Sequence, residues 1–385
     1  MSGFFLAPRI AWGVGALEQL SGLGARRALL VVDPAIASAT GLRRISEELA
    51  KSDATIETID DLADPASVAS VRSLATRIAR AAPDWIVAVG GGRTIDGTKA
   101  ARLATELPEA DLARLTPMAE LPDPPRTRLV AIPSTSGSGA EASWAADLFG
   151  DDGRPVELAH RALVPDWALI DPALADGLRP DERVDGGFEA LALAAEAYVS
   201  AWANPFSDAL ATAAAATVIE RLPRAVRWSD DPDARGALHG AATQAGLAAS
   251  NAQRGLTHAL ARALVRPTGL AYGRLIGIAL PYVLDFDQPG ARDRLERLAD
   301  RVRAPDDRTD TSLAERARRL ADQVRLPATV RAAGGDVGRA SEDLARIVAE
   351  TRRAPASLAN PRIATEPEVA DLVRSILGGA PTSTG

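Results

Sequence analysis

The segment Val89–Lys99 contains three consecutive glycines between an apolar run and a stretch with helical spacing. Glycines let a backbone approach a ligand closely, and the exposed N–H groups at the start of a helix attract anions. This is the chemistry that holds a pyrophosphate, although the spacing is neither the usual G-x-G-x-x-G turn nor a P-loop. The pattern therefore indicates a phosphate site or, alternatively, a tight turn without a ligand.

A second segment, Ile132–Glu141, is rich in glycine and small hydroxyl residues and also follows an apolar run. Its hydroxyl and amide groups could line a nucleotide, and a flexible loop is the alternative. Because open α/β sheets bind ligands outside the carboxyl ends of their strands, two such segments favour one shared ligand.

Asp33 ends another apolar run, just before Pro34. A carboxylate at this place could accept a hydrogen bond from an adenosine ribose, and it would repel a 2′-phosphate. Asp33 therefore favours NAD over NADP, unless it only ends the strand in a turn.

An α/β domain over residues 1–175 is predicted to position these segments. Strands that alternate with helices indicate a mostly parallel, Rossmann-like sheet covered on both faces. Helical spacing is found over Ala66–Ala82 and Thr94–Leu107. The predicted strands are Arg27–Asp33, Ala54–Ile59, Trp85–Val89, Arg128–Ile132 and Trp167–Ile170.

Residues 176–385 are predicted to form an all-α domain. Alanine and leucine, which are strong helix formers, dominate these residues at 3.6-residue spacing. We expect a ligand in the cleft between the two domains. The predicted helices are Gly187–Ala203, Ser207–Leu222, Asp233–Ser250, Leu256–Leu264, Arg292–Val302 and Asp310–Val324.

The composition excludes several classes of function. The 385 residues carry 44 basic and 51 acidic side chains, with no basic stripe to neutralise nucleic-acid phosphates. The absence of cysteine excludes disulfides, thiolate nucleophiles and iron–sulfur clusters. The three histidines are His160, His239 and His258, which limits any metal site. With no signal peptide and no apolar run of about 18 residues, we expect a cytoplasmic protein without membrane partners.

At these motifs the chain resembles the iron-containing (group III) alcohol dehydrogenases of the dehydroquinate-synthase-like superfamily. Gly90–Lys99 matches the family's G-G-G-S-x-x-D-x-x-K, and Ile132–Glu141 matches its I-P-T-T-A-G-T-G-S-E. Glu196–Ser200, Asn204–Leu210 and Asn360–Arg362 match its E-A-Y-V-S, N-P-x-x-D-A-L and N-P-R. The resemblance implies an NAD or NADP site that is formed, with Asp33, by Gly90, Gly91, Gly92, Arg93, Asp96, Lys99, Ser134, Thr135, Ser136 and Ser138.

The same resemblance points to a departure at the metal site. Family members bind a divalent ion through an aspartate, a histidine four residues later and two further histidines. Here the first two positions are Glu189 and Leu193. The family's H-x-x-x-H reads from His258 to Arg262, and Tyr272 replaces the histidine of its P-H-G. Because leucine offers no lone pair, we expect no tightly bound metal.

Without an ion, another group must stabilise the oxyanion that develops as hydride arrives. We expect this from the remaining residues at these positions: His258 or Tyr272 as the acid, Arg262 as an anchor for an anionic substrate group, and Glu189 beside them. Maleylacetate reductases resemble this family and also work without metal.

The sequence thus predicts a metal-independent NAD(P)H-dependent reductase of a small carbonyl or imine compound, with a homodimer as a further expectation from the family. One alternative is a lyase or cyclase that acts on a phosphorylated or carboxylated sugar-like substrate. Another is an inactive relic that binds the cofactor and serves as a scaffold or regulator.

Overall fold

The structure is a computed structural model, and it describes residues 5–36, 40–62, 67–109, 111–112, 115, 126–303 and 311–378. The chain divides into two compact units, Met1–Leu178 and Arg179–Gly385. The domain boundary predicted at residue 175 lies close to this division. Among the described residues, no helix is both long enough and apolar enough to cross a membrane.

A six-stranded parallel sheet forms the centre of the first unit, which confirms the predicted α/β class. Val32 pairs with Val89, and Gly90 pairs with Pro133, so three neighbouring strands end at the same edge. This edge carries Asp33 and both glycine-containing segments. In spatial order the strands are β1 (Arg9–Trp12), β8 (Trp167–Ile170), β5 (Arg128–Pro133), β4 (Trp85–Gly90), β2 (Arg27–Val32) and β3 (Thr55–Ile59).

Both faces of the sheet are covered, because successive apolar residues of a strand point to opposite sides. Leu29 belongs to the same buried cluster as Leu74, whereas the next residue, Leu30, belongs to that of Ile45. The strands are apolar on both faces for this reason. The helices of this unit are α1 (Thr40–Ala50), α2 (Val68–Ala81) and α3 (Gly92–Glu106).

Two features of the first unit were missed by the sequence analysis. One is the edge strand β1, whose four residues are all exposed or half-buried and so lack an apolar run. The other is an antiparallel pair formed by β6 (Ala145–Phe149) and β7 (Pro155–Ala159), which directly follows the second glycine-containing segment. Both lack the continuous burial that marks the central strands.

The second unit is helical and has no strand among its described residues, as predicted. The largest difference is the first part of α8, which was not predicted; the backbone of this helix is kinked at Ala291 (φ −138°), and the part from Arg292 was predicted. Pro281 and Pro289 lie inside the part that was not predicted. Proline removes a backbone donor and is unfavourable within a helix, so nothing in the sequence indicated a helix there. The starts of two predicted helices, at residues 66 and 310, fall outside the described residues. The helices are α4 (Pro180–Val199), α5 (Pro205–Arg227), α6 (Pro232–Ala252), α7 (Leu256–Thr268), α8 (Tyr272–Arg301), α9 (Leu313–Gln323), α10 (Val337–Glu342), α11 (Leu344–Arg353), α12 (Pro355–Ala359) and α13 (Glu366–Leu377).

Candidate active site

The two glycine-containing segments lie against each other in the first unit. Gly91 is the N-cap of α3, and Gly92 is the first residue of that helix. A Cβ atom added to Gly92 would lie 2.7 Å from the Ser138 hydroxyl, and one added to Gly91 would lie 3.2 Å from the Thr135 methyl group. The first distance is shorter than Cβ atoms tolerate, and the second is tighter than most Cβ contacts. The sequence therefore needs glycine here so that the start of α3 can face the hydroxyl-rich segment.

Asp33 lies beside the same turn. Its backbone N–H donates to the Val89 carbonyl at 2.9 Å, and a Cβ added to Gly90 would lie 2.9 Å from the Asp33 Cβ. The carboxylate accepts hydrogen bonds from the Ala35 N–H at 3.0 Å and from the Thr94 hydroxyl at 3.4 Å. Asp33 thus closes a turn and also borders the glycines, so the geometry is compatible with both predicted roles.

Arg93 projects from the first turn of α3 and is exposed. Local burial lowers the pKa of its guanidinium, and the charge of Asp33 opposes that shift. The charge of Asp33 offsets only part of the effect of desolvation, and the cation lies near this carboxylate beside the glycine turn.

Lys99 and Asp96 lie in the interior of the first unit. The Lys99 side chain is fully buried, and burial lowers the pKa of its ammonium group. Burial also raises the pKa of the Asp96 carboxyl, whose second oxygen accepts from the Asp147 N–H at 3.1 Å. The ammonium therefore connects α3 to the chain that follows Ser138. It donates to the carbonyls of Ala140 and Ala145, to the Ser143 hydroxyl and to the Asp96 carboxylate.

The hydroxyl residues of the second segment divide into two groups. Ser134 and Ser136 are buried, and the Ser134 N–H donates to the Gly90 carbonyl at 3.0 Å. Thr135 and Ser138 are half-buried and lie against the glycines. The backbone bond from Ser134 holds the two segments in register, and Thr135 and Ser138 are the hydroxyls nearest to the turn.

His258 lies in the first turn of α7, in the second unit, and is 3% exposed. Its Nδ1 atom makes a short hydrogen bond with the Glu196 carboxylate, which comes from α4. Its Nε2 atom is buried and has no hydrogen-bond partner among the residues that the structure describes. One imidazole nitrogen is therefore fixed by an acid, and the other remains available.

Glu196 also caps α7. Its two carboxylate oxygens accept from the backbone N–H groups of Gly255 at 2.8 Å and Thr257 at 2.6 Å. Burial raises the pKa of this carboxyl, but His258 and the N–H donors outweigh burial and hold the pKa below its ordinary range. Glycine is required at position 255, because a Cβ there would lie 3.0 Å from the Glu196 carboxylate.

The other predicted site residues of the second unit lie on α4, α7 and α8. Tyr272 begins α8, and its ring meets that of His258 edge-on, with centroids 6.3 Å apart and an angle of 65°. Arg262 follows His258 by four residues on α7 and is buried, whereas Glu189 is half-buried on α4. Leu193, four residues after Glu189, is part of the apolar core. The structure thus brings His258 and Tyr272 into contact.

No group of three or more histidine, aspartate and glutamate side chains that could hold a metal ion occurs within the described part of the chain. His160, in the first unit, accepts a hydrogen bond at Nδ1 from the Ala162 N–H at 3.0 Å and caps a short turn. His239 is buried in α6.

Sequence reasoning missed the partner of His258. Glu196 lies in a motif that the family resemblance identified, but it was assigned no role. A signal was present, since a lone carboxylate in a long run of alanine and leucine is rarely buried without a partner. Asn360, in another matched motif, was missed too: its side-chain oxygen accepts from the Leu256 N–H at 3.0 Å.

Comparisons with known proteins agree with this fold. Residues 7–172 match the family model for iron-containing alcohol dehydrogenase, and residues 183–377 match that for the C-terminal part of the Fe-containing alcohol dehydrogenase family. A 1-propanol dehydrogenase from Citrobacter freundii is 32% identical over 317 residues, which cover 81% of each chain. An NADPH-dependent butanol dehydrogenase from Clostridium saccharobutylicum is 30% identical over 306 residues, 78% of each chain.

The solved structure of an iron-containing alcohol dehydrogenase from Thermococcus thioreducens has a TM-score of 0.89 to this chain at 28% identity, and covers 98% of this chain and 100% of that one. Fold and relatives together define an NAD(P)-dependent oxidoreductase, as predicted. The chain belongs to the iron-containing alcohol dehydrogenase family.

Proposed function

We propose that this protein is a metal-independent reductase that transfers hydride from NADH or NADPH to a small carbonyl or imine substrate. The observation that carries the proposal is the environment of His258. Its Nδ1 contacts the Glu196 carboxylate, and its buried Nε2 has no hydrogen-bond partner in the described part of the chain. Leaving a buried polar atom unsatisfied costs about 1–3 kcal/mol, and together with the contact to Glu196 this favours a role of Nε2 in proton transfer.

Metal independence is supported by the side chains at the positions where the family resemblance places the ion. Leu193 has no lone pair and packs in the core, and Arg262 is a cation. His258 and Glu189 remain as donors, and the described residues contain no cluster of three such donors. These side chains do not fit a divalent cation.

The edge of the parallel sheet fits a dinucleotide. Because positions 91 and 92 are glycine, Thr135 and Ser138 can lie against the start of α3, whose first N–H groups are suited to a pyrophosphate. Thr135 and Ser138 add hydroxyl groups beside these glycines, and the Asp33 carboxylate favours NAD over NADP. When bound, the nicotinamide supplies the hydride that reduces the substrate carbon.

His258 supplies the proton for this reduction. Because Nδ1–H donates to Glu196, Nε2 carries a proton only in the imidazolium form. The Glu196 carboxylate stabilises that cation by its charge. As the carbonyl π electrons move to oxygen, Nε2 transfers its proton to that oxygen, and the ring becomes neutral. Water then restores the proton.

Three further residues complete the proposed site. Arg262 lies one helical turn further along α7, and residues four apart share a helix face. Its guanidinium is suited to a substrate carboxylate or phosphonate. Tyr272 is the alternative proton donor, and Glu189 provides a further carboxylate on α4.

An assay of NADH and NADPH oxidation with small aldehydes, keto acids and imines tests this function. We expect stoichiometric nucleotide consumption that a chelator does not affect. His258→Gln should lower kcat by roughly 10²- to 10⁴-fold, the usual contribution of a general acid. Tyr272→Phe should have a much smaller effect, and His239→Gln, at a buried histidine of α6, is the matched control.

Three outcomes would contradict the proposal. One equivalent of tightly held iron or zinc by elemental analysis would remove metal independence. Failure to bind either reduced nucleotide at millimolar concentration would remove the reductase. Product formation without net nucleotide consumption would indicate a lyase or cyclase instead.

A further inference from the structure

In the first turn of α7, backbone N–H groups donate hydrogen bonds to side chains that are distant in the sequence. Its N-cap residue, Gly255, provides no side-chain acceptor. The N–H of Leu256 donates to Asn360, which follows α12, and the N–H of Thr257 donates to Glu196. A Cβ on Gly255 would approach the Asn360 side-chain oxygen to 2.9 Å. The turn that contains His258 is therefore capped by two side chains from elsewhere in the sequence, those of Glu196 and Asn360.

The orientation of the Asn360 amide is fixed from its other end. Its nitrogen donates to the Asp287 carboxyl at 2.6 Å and to the Arg362 carbonyl at 2.9 Å. A reversed amide would place its NH₂ group against the Leu256 N–H and its oxygen against two acceptors. Both Asn360 and Asp287 are buried, so water cannot compensate for the loss of these bonds.

We propose that Asn360 and Asp287 are positioning residues that keep the Glu196 carboxylate on His258. The two oxygens of Glu196 already accept hydrogen bonds from three residues: Gly255, Thr257 and His258. Without Asn360, the Leu256 N–H has no acceptor and competes for the same carboxylate. Glu196 then moves away from Nδ1, and the ring of His258 loses its fixed orientation. The catalytic consequence rests on the proposed function, but the geometric one does not.

The protonation of Asp287 supports this arrangement. Burial raises the pKa of its carboxyl to about 8, and the charge of Glu196 adds to that shift against Asn360 and Arg362. At neutral pH Glu196 therefore carries a negative charge, whereas Asp287 is protonated and accepts the hydrogen bond from Asn360 as a neutral group. A neutral asparagine is consequently a close substitute at position 287, and leucine is not.

Imidazole ¹⁵N NMR tests the proposal, since three histidines make a simple spectrum and His258→Gln assigns the relevant signals. We expect Asn360→Ala and Asp287→Leu to shift the Nδ1 resonance of His258, and Asp287→Asn to leave it close to the wild-type position. Thr351→Val, at a fully buried hydroxyl of α11 that has no hydrogen-bond partner among the described residues, is the matched control.

Kinetics provide the second measurement. Asn360→Ala should lower kcat by roughly 10- to 100-fold, because small misplacements of a reacting group have effects of this order. The nucleotide Kd should not change. If Asn360→Ala does not fold, Asp287→Leu replaces it, because this change keeps the Asn360 side chain and removes only the acceptor that orients its amide towards Leu256.

The proposal is wrong if the His258 resonances of Asn360→Ala and Asp287→Leu coincide with those of the wild type, even if both variants are less stable. If the wild type consumes no nucleotide with any substrate, the proposed function fails while the NMR measurement still decides the positioning.

Discussion

The Glu196 carboxylate accepts hydrogen bonds from the backbone of α7 and at the same time contacts Nδ1 of His258. A single buried anion therefore caps a helix and orients an imidazole. The two tasks are coupled, because the N–H groups that the carboxylate caps also hold it in the orientation in which it contacts the ring. The helix start thus determines the direction of the available Nε2.

Replacing this anion by a neutral group should disable proton transfer. Glu196→Gln keeps one oxygen acceptor but removes the charge that stabilises the imidazolium. We expect kcat to fall by roughly 10- to 100-fold, with little change in the nucleotide Kd. Steady-state kinetics and nucleotide fluorescence measure the two effects. Glu220→Gln, on the exposed surface of α5, is the control, and an unchanged kcat in Glu196→Gln would contradict the assigned role.

The glycine turn can be tested with a paired substitution. In Gly92→Ala the new methyl group would lie 2.7 Å from the Ser138 hydroxyl and 2.9 Å from the Ser138 Cβ, so the two segments must separate. We expect the Kd for NADH to rise at least roughly tenfold, since each 1.4 kcal/mol of lost binding energy has this effect.

The double variant Gly92→Ala, Ser138→Gly restores the space and should recover part of the affinity. Gly22→Ala is the control, because a Cβ at that position meets no atom within 4 Å. Unchanged NADH binding in Gly92→Ala would mean that the turn does not hold the cofactor.

Lys99→Met should destabilise the first unit. The change leaves a buried carboxylate, two carbonyls and a hydroxyl without their donor. Removing one partner of a buried ion pair costs about 3–5 kcal/mol. Chemical denaturation measures the free energy of unfolding. Lys51, the other lysine of the chain, is exposed, and Lys51→Met should change that energy by less than about 1 kcal/mol. Equal effects of the two substitutions would argue against an interior role for Lys99.

Asp287 should make stability depend on pH. Its folded-state pKa of about 8 lies above the ordinary value of 3.8, so the folded protein retains a proton that the unfolded chain has lost. The contribution of Asp287 to the free energy of unfolding is fully present below the ordinary pKa of 3.8. This contribution is lost as the pH rises to about 8, by up to roughly 1.4 kcal/mol per pH unit.

Asp287→Asn cannot ionise and should remove this slope. We expect the variant to resemble the wild type near pH 4 and to exceed its Tm near pH 8. Thermal unfolding across this range provides the measurement. Parallel Tm curves for the two proteins would show that Asp287 is ionised in the folded state.

Much of the first unit could be predicted, because its signals are local. Strands β2, β4 and β5 are continuous apolar runs, and each is followed by a residue or segment with recognisable chemistry: Asp33, Gly90–Gly92 and Ser134–Ser138. Parallel strands end at a common edge, so the meeting of these segments follows from their order along the chain. The edge strand β1 and the β6–β7 pair lacked such runs and were missed.

Only part of the site in the second unit could be predicted from the sequence. His258 and Tyr272 stand at positions that the motifs single out, but nothing local indicates that Glu196 and Asn360 reach the same helix turn. These contacts join residues 62 and 104 positions apart. Likewise, Lys99 matches a cofactor motif by sequence, whereas its surroundings depend on the unpredicted β6–β7 pair.

The sequence alone determined the central strands of the first unit, the helical class of the second unit and the glycines that permit close backbone contact. Periodicity and glycine content act over a few residues, and so they can be recognised without the fold. Only the tertiary structure decided which buried acid faces His258, which nitrogen is left available, and that Lys99 points into the interior. Those outcomes depend on how side chains from separate helices and strands fill a common space, and close packing is not encoded in any one segment.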